Sequence, residues 1–351
     1  MTARSAAFAV PGDLTTLTGG YIYDLRLLAG LRALGREVAH IPLGASFPDP
    51  TQADMDQAAA RLAAVPAGCP VIIDGLAMGA MERRVLTGMA APVVALVHHP
   101  LAHESGLPPD RRGRLHRNER DNLALAAHVL VPSPHVAGVL AARYGVPADR
   151  ITVARPGTDR PLGRVLRADP PLILSVGIQM PRKGHDVLLR ALALVADRPW
   201  QAVIVGSALD AEHAAVLAGL VTALGLAGRV RLAGRVRDDA LARLYGEASL
   251  FALATRYEGY GIVFDEAMAH GLPIVSCDTG AVPETVAPGA GLLVPPDDPG
   301  AFAEALARLL DEPGTRDRMA AASAQAGAAL GGWEGTARLV GRVLDRVAAE
   351  G

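Results

Sequence analysis

Two glutamates eight positions apart, Glu258 and Glu266, flank a Gly-x-Gly turn in YEGYGIVFDEAMAHG (257–271), just ahead of a helical pattern. Carboxylates accept hydrogen bonds well from sugar hydroxyls. Gly259 and Gly261 let backbone approach a ligand closely where helix N–H groups have no partner, a setting that favours an anion. Counted as eight helical steps, the spacing corresponds to roughly 12 Å. The two acids are then too far apart to share one proton transfer and are expected to grip opposite ends of an elongated ligand. Upstream, GIQMPRKGHDVLL (177–189) sets Arg182 and Lys183 before a helix starting near His185, and Lys183 is the single lysine beside 33 arginines. A lysine ammonium is a compact charge suited to phosphate, and the neighbouring guanidinium offers a forked set of donors. A nucleoside diphosphate sugar, with hydroxyls at both ends and phosphates between, fits all four groups.

Two features of the first half complete the candidate set. Gly19 and Gly20 stand directly before a helical pattern in LTTLTGGYIYDLRLLAGLRALG (14–35), where backbone could approach a ligand. In VHHPL (97–101), Pro100 biases His99 toward an extended conformation, so His98 and His99 point in opposite directions. Only one of the two can face a cleft, and strand phase favours His98.

Positioning these residues requires an α/β framework. Short aliphatic runs alternate with helical patterns: 6–10, 37–41, 70–74, 92–97, 128–132 and 151–154 in the first half, then 171–177, 201–206, 229–234, 249–254, 273–277 and 291–295 in the second. Continuous apolar strands separated by helices predict parallel sheets covered on both faces. The expected fold class is α/β, with two Rossmann-like domains whose sheets face across a cleft and ligands beyond the strands' carboxyl ends. The Pro- and Gly-interrupted segment RPGTDRPLGRVLRADPP (155–171) predicts the boundary. It divides an acceptor-side domain over 1–160 from a nucleotide-sugar domain over 161–331, with a last helix over 332–351 crossing back to the first.

Composition narrows the partners. A formal charge of −2 and an aromatic content of 4% exclude the basic, base-stacking surface of a general nucleic-acid binder. Cys69 and Cys277 lack metal-ligand spacing and fit core thiols in a reducing cytoplasm. No run of 18 apolar residues occurs, so the expectation is a soluble cytoplasmic protein, with peripheral contact at the inner face of a membrane left open. Asp54-Met55-Asp56 has a D-x-D form, but it lies in an Ala-rich polar stretch and reads as helix surface. His98, His99, His103 and Glu104 match no zinc spacing. Neither G-x-G-x-x-G nor a P-loop motif occurs, against a nicotinamide dehydrogenase or a P-loop nucleotidase. The arginine-rich run 109–121 reads as a solvated helix face.

Together, the E-x7-E spacing, PRKGHDVLL, the glycine pair, the strand-end histidine and the segments RYGVPADRITVARPGTD (143–159) and CDTGAVPE (277–284) resemble the retaining glycosyltransferases of family 4, with their two-domain GT-B fold. Thr279 stands where that family's G-G-x-P-E loop carries its first glycine. The resemblance implies that Glu258 binds donor-sugar hydroxyls with the backbone of Gly259, Tyr260 and Gly261. Ile262 and Val263 line the same turn, and Glu266 holds the ribose. Arg182 and Lys183 hold the phosphates, the turn at Gly234 to Val236, including Arg235, the base, and Gly20, beside Gly19, the diphosphate. His98 is implied to lie near the sugar and reacting centre. The implied activity is retaining, metal-independent hexosyl transfer from a UDP- or GDP-sugar, with no cofactor, to an unidentified glycan, lipid-linked or small-molecule acceptor. A sugar-nucleotide epimerase of the same fold and a non-catalytic nucleotide-sugar binder are the alternatives. Donor sugar, base, acceptor and oligomeric state are not legible.

Overall fold

The computed structural model describes residues 5–16, 18–161 and 166–350. Residues 162–165 of the expected boundary segment, Leu17 of the glycine-pair loop and 1–4 and 351 at the ends lie outside the described residues. Contacts divide the chain into two compact units, Met1–Gly157 with Gly331–Gly351, and Thr158–Leu330.

The first unit holds β1 (Ser5–Pro11), β2 (Glu37–Leu43), β3 (Val71–Asp74), β4 (Val93–Leu96), β5 (His128–Val131) and β6 (Ile151–Val153), joined in the order β2-β1-β3-β4-β5-β6. Every pairing is parallel. β3, β4 and β5 are buried along their whole length. Helices therefore cover both faces, and the strands read as unbroken apolar runs rather than alternating ones. The helix Trp333–Glu350 buries Thr336, Ala337, Val340, Val343, Leu344 and Val347, an i, i+3/i+4 stripe, mainly against the helix Gly19–Ala33. Thr336 donates from its hydroxyl to the Arg155 carbonyl (2.7 Å), and Arg36 binds the Gly341 carbonyl (3.0 Å) and the Asp345 carboxylate.

The second unit repeats the plan with β7 (Leu172–Val176), β8 (Gln201–Val205), β9 (Val230–Gly234), β10 (Leu250–Leu253), β11 (Ile274–Cys277) and β12 (Gly291–Val294), all parallel, in the order β12-β11-β10-β7-β8-β9. The chain leaves β7 toward β8 on one side and returns to β10 on the other, so the direction of winding reverses between β7 and β10. In the first unit the corresponding reversal lies between β1 and β3. Open parallel sheets bind ligands in the crevice beyond the carboxyl ends of the strands at such a reversal, which singles out four loops in the whole molecule.

Candidate active site

In the second unit the loops after β7 and β10 carry Arg182, Lys183 and Glu258. Pro181–Lys183 forms one 3-10 turn, and the helix His185–Leu194 follows. Lys183 Nζ donates to Glu258 Oε1 at 2.6 Å, and Arg182 Nη1 lies 3.7 Å from Oε2; the Lys183, Arg182 and Glu258 side chains are 13%, 12% and 6% exposed. Burial alone would raise the Glu258 pKa. The Lys183 and Arg182 charges, with bonds from Lys183 and Thr255, reverse this and hold it below the usual carboxylate value. Three residues join the two loops: the Arg256 amide donates to the Arg182 carbonyl (2.8 Å), the Thr255 hydroxyl lies 3.1 Å from the same carbonyl, and Arg182 Nη1 donates to the Tyr257 carbonyl (3.0 Å); within its own loop the Thr255 hydroxyl also sits 3.0 Å from Glu258 Oε1. Arg256 also makes a two-pronged bond to Asp186 (2.9 and 2.8 Å), reaches Asp297 (2.6 Å) and donates to the Pro181 carbonyl.

Glu258 lies in the loop, and only Ile262–Ala269 is helical. The sequence expectation of eight helical steps between the two glutamates is corrected accordingly: Gly261, at φ +90°, breaks the chain direction before the helix begins. No side chain caps that helix, so its first-turn amides, at Ile262 and Val263, lack a capping acceptor. Tyr260 donates from its hydroxyl to Asp265 Oδ2 at 2.6 Å. On the far side, Gly280 (φ +55°) packs against the Glu258 backbone: a Cβ there would lie 2.9 Å from the Glu258 nitrogen and closer still to its carbonyl oxygen. The glycine that this loop needs is therefore Gly280, and Thr279 contributes a hydroxyl bond to the Arg256 carbonyl (2.9 Å).

Glu266, one turn into the helix, accepts at Oε2 from the Tyr245 hydroxyl (2.7 Å), and the Tyr245 ring stacks on His270 at 4.8 Å. Burial, with the Glu266 charge and bond, holds Tyr245 well above the ordinary phenol value, so it stays a neutral donor. Gly234 ends β9 with φ +60°, and Val236 lines a shallow hollow with Arg231, Ala240, Arg243, Leu244 and Glu247. Arg235 lies in the turn between them.

In the first unit the loop after β1 leads into the helix Gly19–Ala33. Gly19 and Gly20 form its first turn rather than preceding it, because Thr18 is the N-cap, its hydroxyl accepting from the Tyr21 amide at 3.4 Å. A Cβ on Gly20 would sit 3.1 Å from His98 Cδ2, so these two expected residues do meet. His98 Nε2 lies 2.9 Å from Asp24 Oδ1 and 3.5 Å from Asp74 Oδ2, and Tyr23 packs edge-on to the ring at 5.1 Å. His99 pairs instead with Glu104 (3.4 Å). Burial opposes charge on His98, but Asp24, through charge and hydrogen bond, and then Asp74 outweigh it and raise its pKa. Burial and the Asp24 charge raise that of Asp74. Among the described residues this trio is the one group of three or more histidine, cysteine or carboxylate side chains whose donor atoms lie within 4.8 Å of one another.

Sequence reasoning missed Asp24, Asp74, Tyr245 and Arg256. Asp24 had a signal, since it shares the apolar stripe of Leu27, Leu28 and Leu31, where an acid is out of place. Asp74 closes the apolar strand VIID, one residue from the next helix, for which it is the N-cap. Tyr245 and Arg256 gave none, because their partners come from other elements. Asp54-Met55-Asp56 lies on the helix Gln52–Ala63 with Met55 in the core, as a helix surface requires. Cys277 is buried, its thiol raised to about 12, and Cys69 is half-buried. No helix among the described residues is long and apolar enough to cross a membrane.

Comparison with known proteins gives two family matches, glycosyl transferases group 1 over residues 163–326 and glycosyltransferase family 4 over 70–160. A D-inositol 3-phosphate glycosyltransferase of Nocardioides sp. is 36% identical over 252 residues, covering 64% of this chain and 55% of the relative. A GDP-mannose-dependent monoacylated alpha-(1-6)-phosphatidylinositol monomannoside mannosyltransferase of Corynebacterium glutamicum is 34% identical over 203 residues, covering 54% and 51%. The chain thus spans about half the length of the curated relatives it matches. Among solved structures, the sucrose-phosphate synthase of Thermosynechococcus elongatus shares the fold with a TM-score of 0.84 at 23% identity, over 99% of this chain and 100% of that one. Anabaena HepE in complex with UDP and glucose does so with a TM-score of 0.76 at 18% identity, over 97% and 99%.

Proposed function

We propose, from its matches to the glycosyl transferases group 1 and glycosyltransferase family 4 models, that this chain is a retaining, metal-independent hexosyltransferase that takes its sugar from a nucleoside diphosphate donor. The observation that carries this reading is the Lys183–Glu258–Arg182 cluster at the strand reversal of the second unit, beside the uncapped helix at Ile262. Breaking the anomeric C–O bond leaves negative charge on the departing diphosphate and positive character on the sugar. Fixed cations and helix amides aimed at the diphosphate stabilise that separation, and in a dry site they do so without reorganising. Lys183 and Arg182 supply the charge in this proposal. Glu258, its carboxylate kept ionised by the same cations, accepts from the sugar hydroxyls. Glu266, oriented by Tyr245, accepts from the ribose, and the turn from Gly234 through Arg235 to Val236 meets the base. In the first unit, Gly20 and His98 are the proposed ligand contacts.

Retention fits departure of the diphosphate and attack by the acceptor on the same face, an oxygen of the diphosphate taking the acceptor's proton. The acceptor is a hydroxyl compound; the relatives are named for an inositol phosphate and a phosphatidylinositol mannoside, which supports testing polyol and lipid-linked polyol acceptors first. A thermal-shift panel of UDP- and GDP-sugars identifies the donor, since a ligand that prefers the folded state raises the melting temperature. Acceptor-dependent release of free nucleoside diphosphate then separates transfer from epimerisation or simple binding. Lys183→Ala is expected to lower turnover about a hundredfold, the effect of removing one transition-state charge contact. An unchanged turnover would remove Lys183 from its role.

A further inference from the structure

We propose that Asp24 and Asp74 are positioning residues for His98: together they take up its Nε2–H, fix the ring's tautomer and rotamer, and keep it charged, so that Nδ1 is the atom offered to the donor sugar. The last clause rests on the function proposed above; the others rest on the geometry of the first unit alone.

That geometry leaves little choice of tautomer. Asp24 Oδ1 and Asp74 Oδ2 both face the same ring nitrogen, at 2.9 and 3.5 Å. The two carboxyl side chains are 1% and 2% exposed. A bare Nε2 would aim its lone pair at two carboxyl oxygens, whereas Nε2–H is shared between both. Asp74 cannot swing away, because its Oδ1 accepts from the Leu76 amide at 2.9 Å as the cap of the helix Gly75–Ala80. Asp24 is held on the buried face of the helix Gly19–Ala33, and its second oxygen, Oδ2, is buried without a partner among the described residues. A buried carboxylate short of hydrogen bonds is costly unless a neighbouring charge compensates it, and the imidazolium is the cation at hand.

The remaining ring edges are also assigned. Cδ2 lies under Gly20, where a Cβ would make a tight contact at 3.1 Å, and the Tyr23 ring packs edge-on to the imidazole. Nδ1 is the ring nitrogen with no protein partner among the described residues. The other titratable groups facing the trio stay neutral or sit further out. The Tyr21 hydroxyl donates to the Pro11 carbonyl and is raised to about 12 by burial and by Asp74, Asp24 and Asp13. The Tyr23 hydroxyl donates to the Ala154 carbonyl and is raised beyond the ordinary phenol range by burial and Asp24. A charged His98 therefore donates from Nδ1, and a sugar hydroxyl oxygen is the acceptor that this reading supplies.

Long-range ¹H–¹⁵N spectra of the ligand-free full chain, with the His98 signals assigned by their loss in His98→Gln, test the proposal without any activity. The expected result is an Nε2–H ring whose titration midpoint lies above the ordinary value of about 6.5, falling by about one pH unit or more in Asp24→Asn and by less in Asp74→Asn. An Nδ1–H tautomer, or a midpoint unmoved in whichever of these variants folds, overturns it. So does Mn²⁺ that broadens the His98 signals of the native chain and not those of the variant, which would make the trio a cation site. Where a donor is turned over, Asp24→Asn should lower kcat about tenfold with little change in KM, as loss of a positioned group does, and its alkaline limb should move by the shift seen in the spectra. Absence of transfer with every donor would sink the proposed function and leave the spectroscopic result standing. An unmoved midpoint would do the reverse.

Discussion

The Lys183–Glu258 pair makes a prediction about stability that is independent of any substrate. Both side chains are largely buried, at 13% and 6% exposure, and their charged atoms are 2.6 Å apart. Removing one partner of a buried pair costs about 3–5 kcal/mol, because the survivor is left charged and dry. Here Arg182, at 3.7 Å, and the Thr255 hydroxyl, at 3.0 Å, still compensate Glu258. The expected cost of Lys183→Met is therefore nearer 2–3 kcal/mol, which for a unit of this size lowers Tm by roughly 5–10 °C. Replacing both partners, Lys183→Met with Glu258→Gln, removes the stranded charge and should recover most of the loss. The pH dependence has a fixed sign. Glu258 has a lowered pKa in the native chain, so its stabilisation is present above the unfolded carboxyl value of about 4.3 and is lost as pH falls through the folded one. In Lys183→Met the burial penalty is less opposed and the Glu258 pKa rises, so acid relieves the variant before it weakens the native chain. The gap in Tm between the two should narrow as pH falls from 7 toward 4. Calorimetry across that range is the assay. A variant that melts within a degree of the native chain at pH 7, a double variant no more stable than the single one, or a gap that widens in acid would each refute the reasoning.

Two further substitutions test how the glutamates are held. In Gly280→Ala, a Cβ at 2.9 Å from the Glu258 nitrogen adds to the left-handed backbone, which alone costs an alanine about 1–2 kcal/mol. A fall in Tm of at least 4 °C and a tenfold or greater loss in kcat/KM are expected, checked against Gly228→Ala, where nothing lies within 4 Å and no change is expected. Tyr245→Phe deletes a buried bond to the Glu266 carboxylate, a contact of about 1.5–3 kcal/mol. If Glu266 holds the ribose, steady-state kinetics should show donor KM raised about tenfold with kcat nearly unchanged; an unaltered KM would detach Tyr245 from the donor.

All twelve strands stand where the apolar runs place them, to within two residues; the central ones, such as β3, β4 and β5, are buried along their whole length and must be apolar throughout. That Arg182, Lys183 and Glu258 follow strands of the second sheet was legible in their sequence setting; that they pair with one another, Lys183 Nζ at 2.6 Å from Glu258, was not. Nor was the geometry between the glutamates. Counting from Glu258 to Glu266 as one helix ignores Gly261, whose positive φ precedes a helix that starts only at Ile262, four residues after Glu258. Gly19 and Gly20 were misread by the same kind of margin, since the capping hydroxyl of Thr18 sets the helix start ahead of them. Asp24, Asp74, Tyr245 and Arg256 act through partners on other elements, 74 positions away for Asp24 and His98. No local pattern carries a contact of that separation.

The two strand reversals share a backbone plan and differ in charge, which explains why one suits a diphosphate. In the second unit Arg256 is matched by Asp186 and Asp297, so its charge is spent on the scaffold. Arg182 and Lys183 both face Glu258, two cations beside one carboxylate, next to helix amides with no side-chain cap. In the first unit the balance is inverted, with one imidazole between two buried carboxylates. A group carrying two or more negative charges is drawn to the former and repelled by the latter, while a neutral hydroxyl can bond at either. On the function proposed above, this difference in charge favours the second unit for the diphosphate, and neutralising Lys183, which leaves one cation to one anion, is expected to remove that preference.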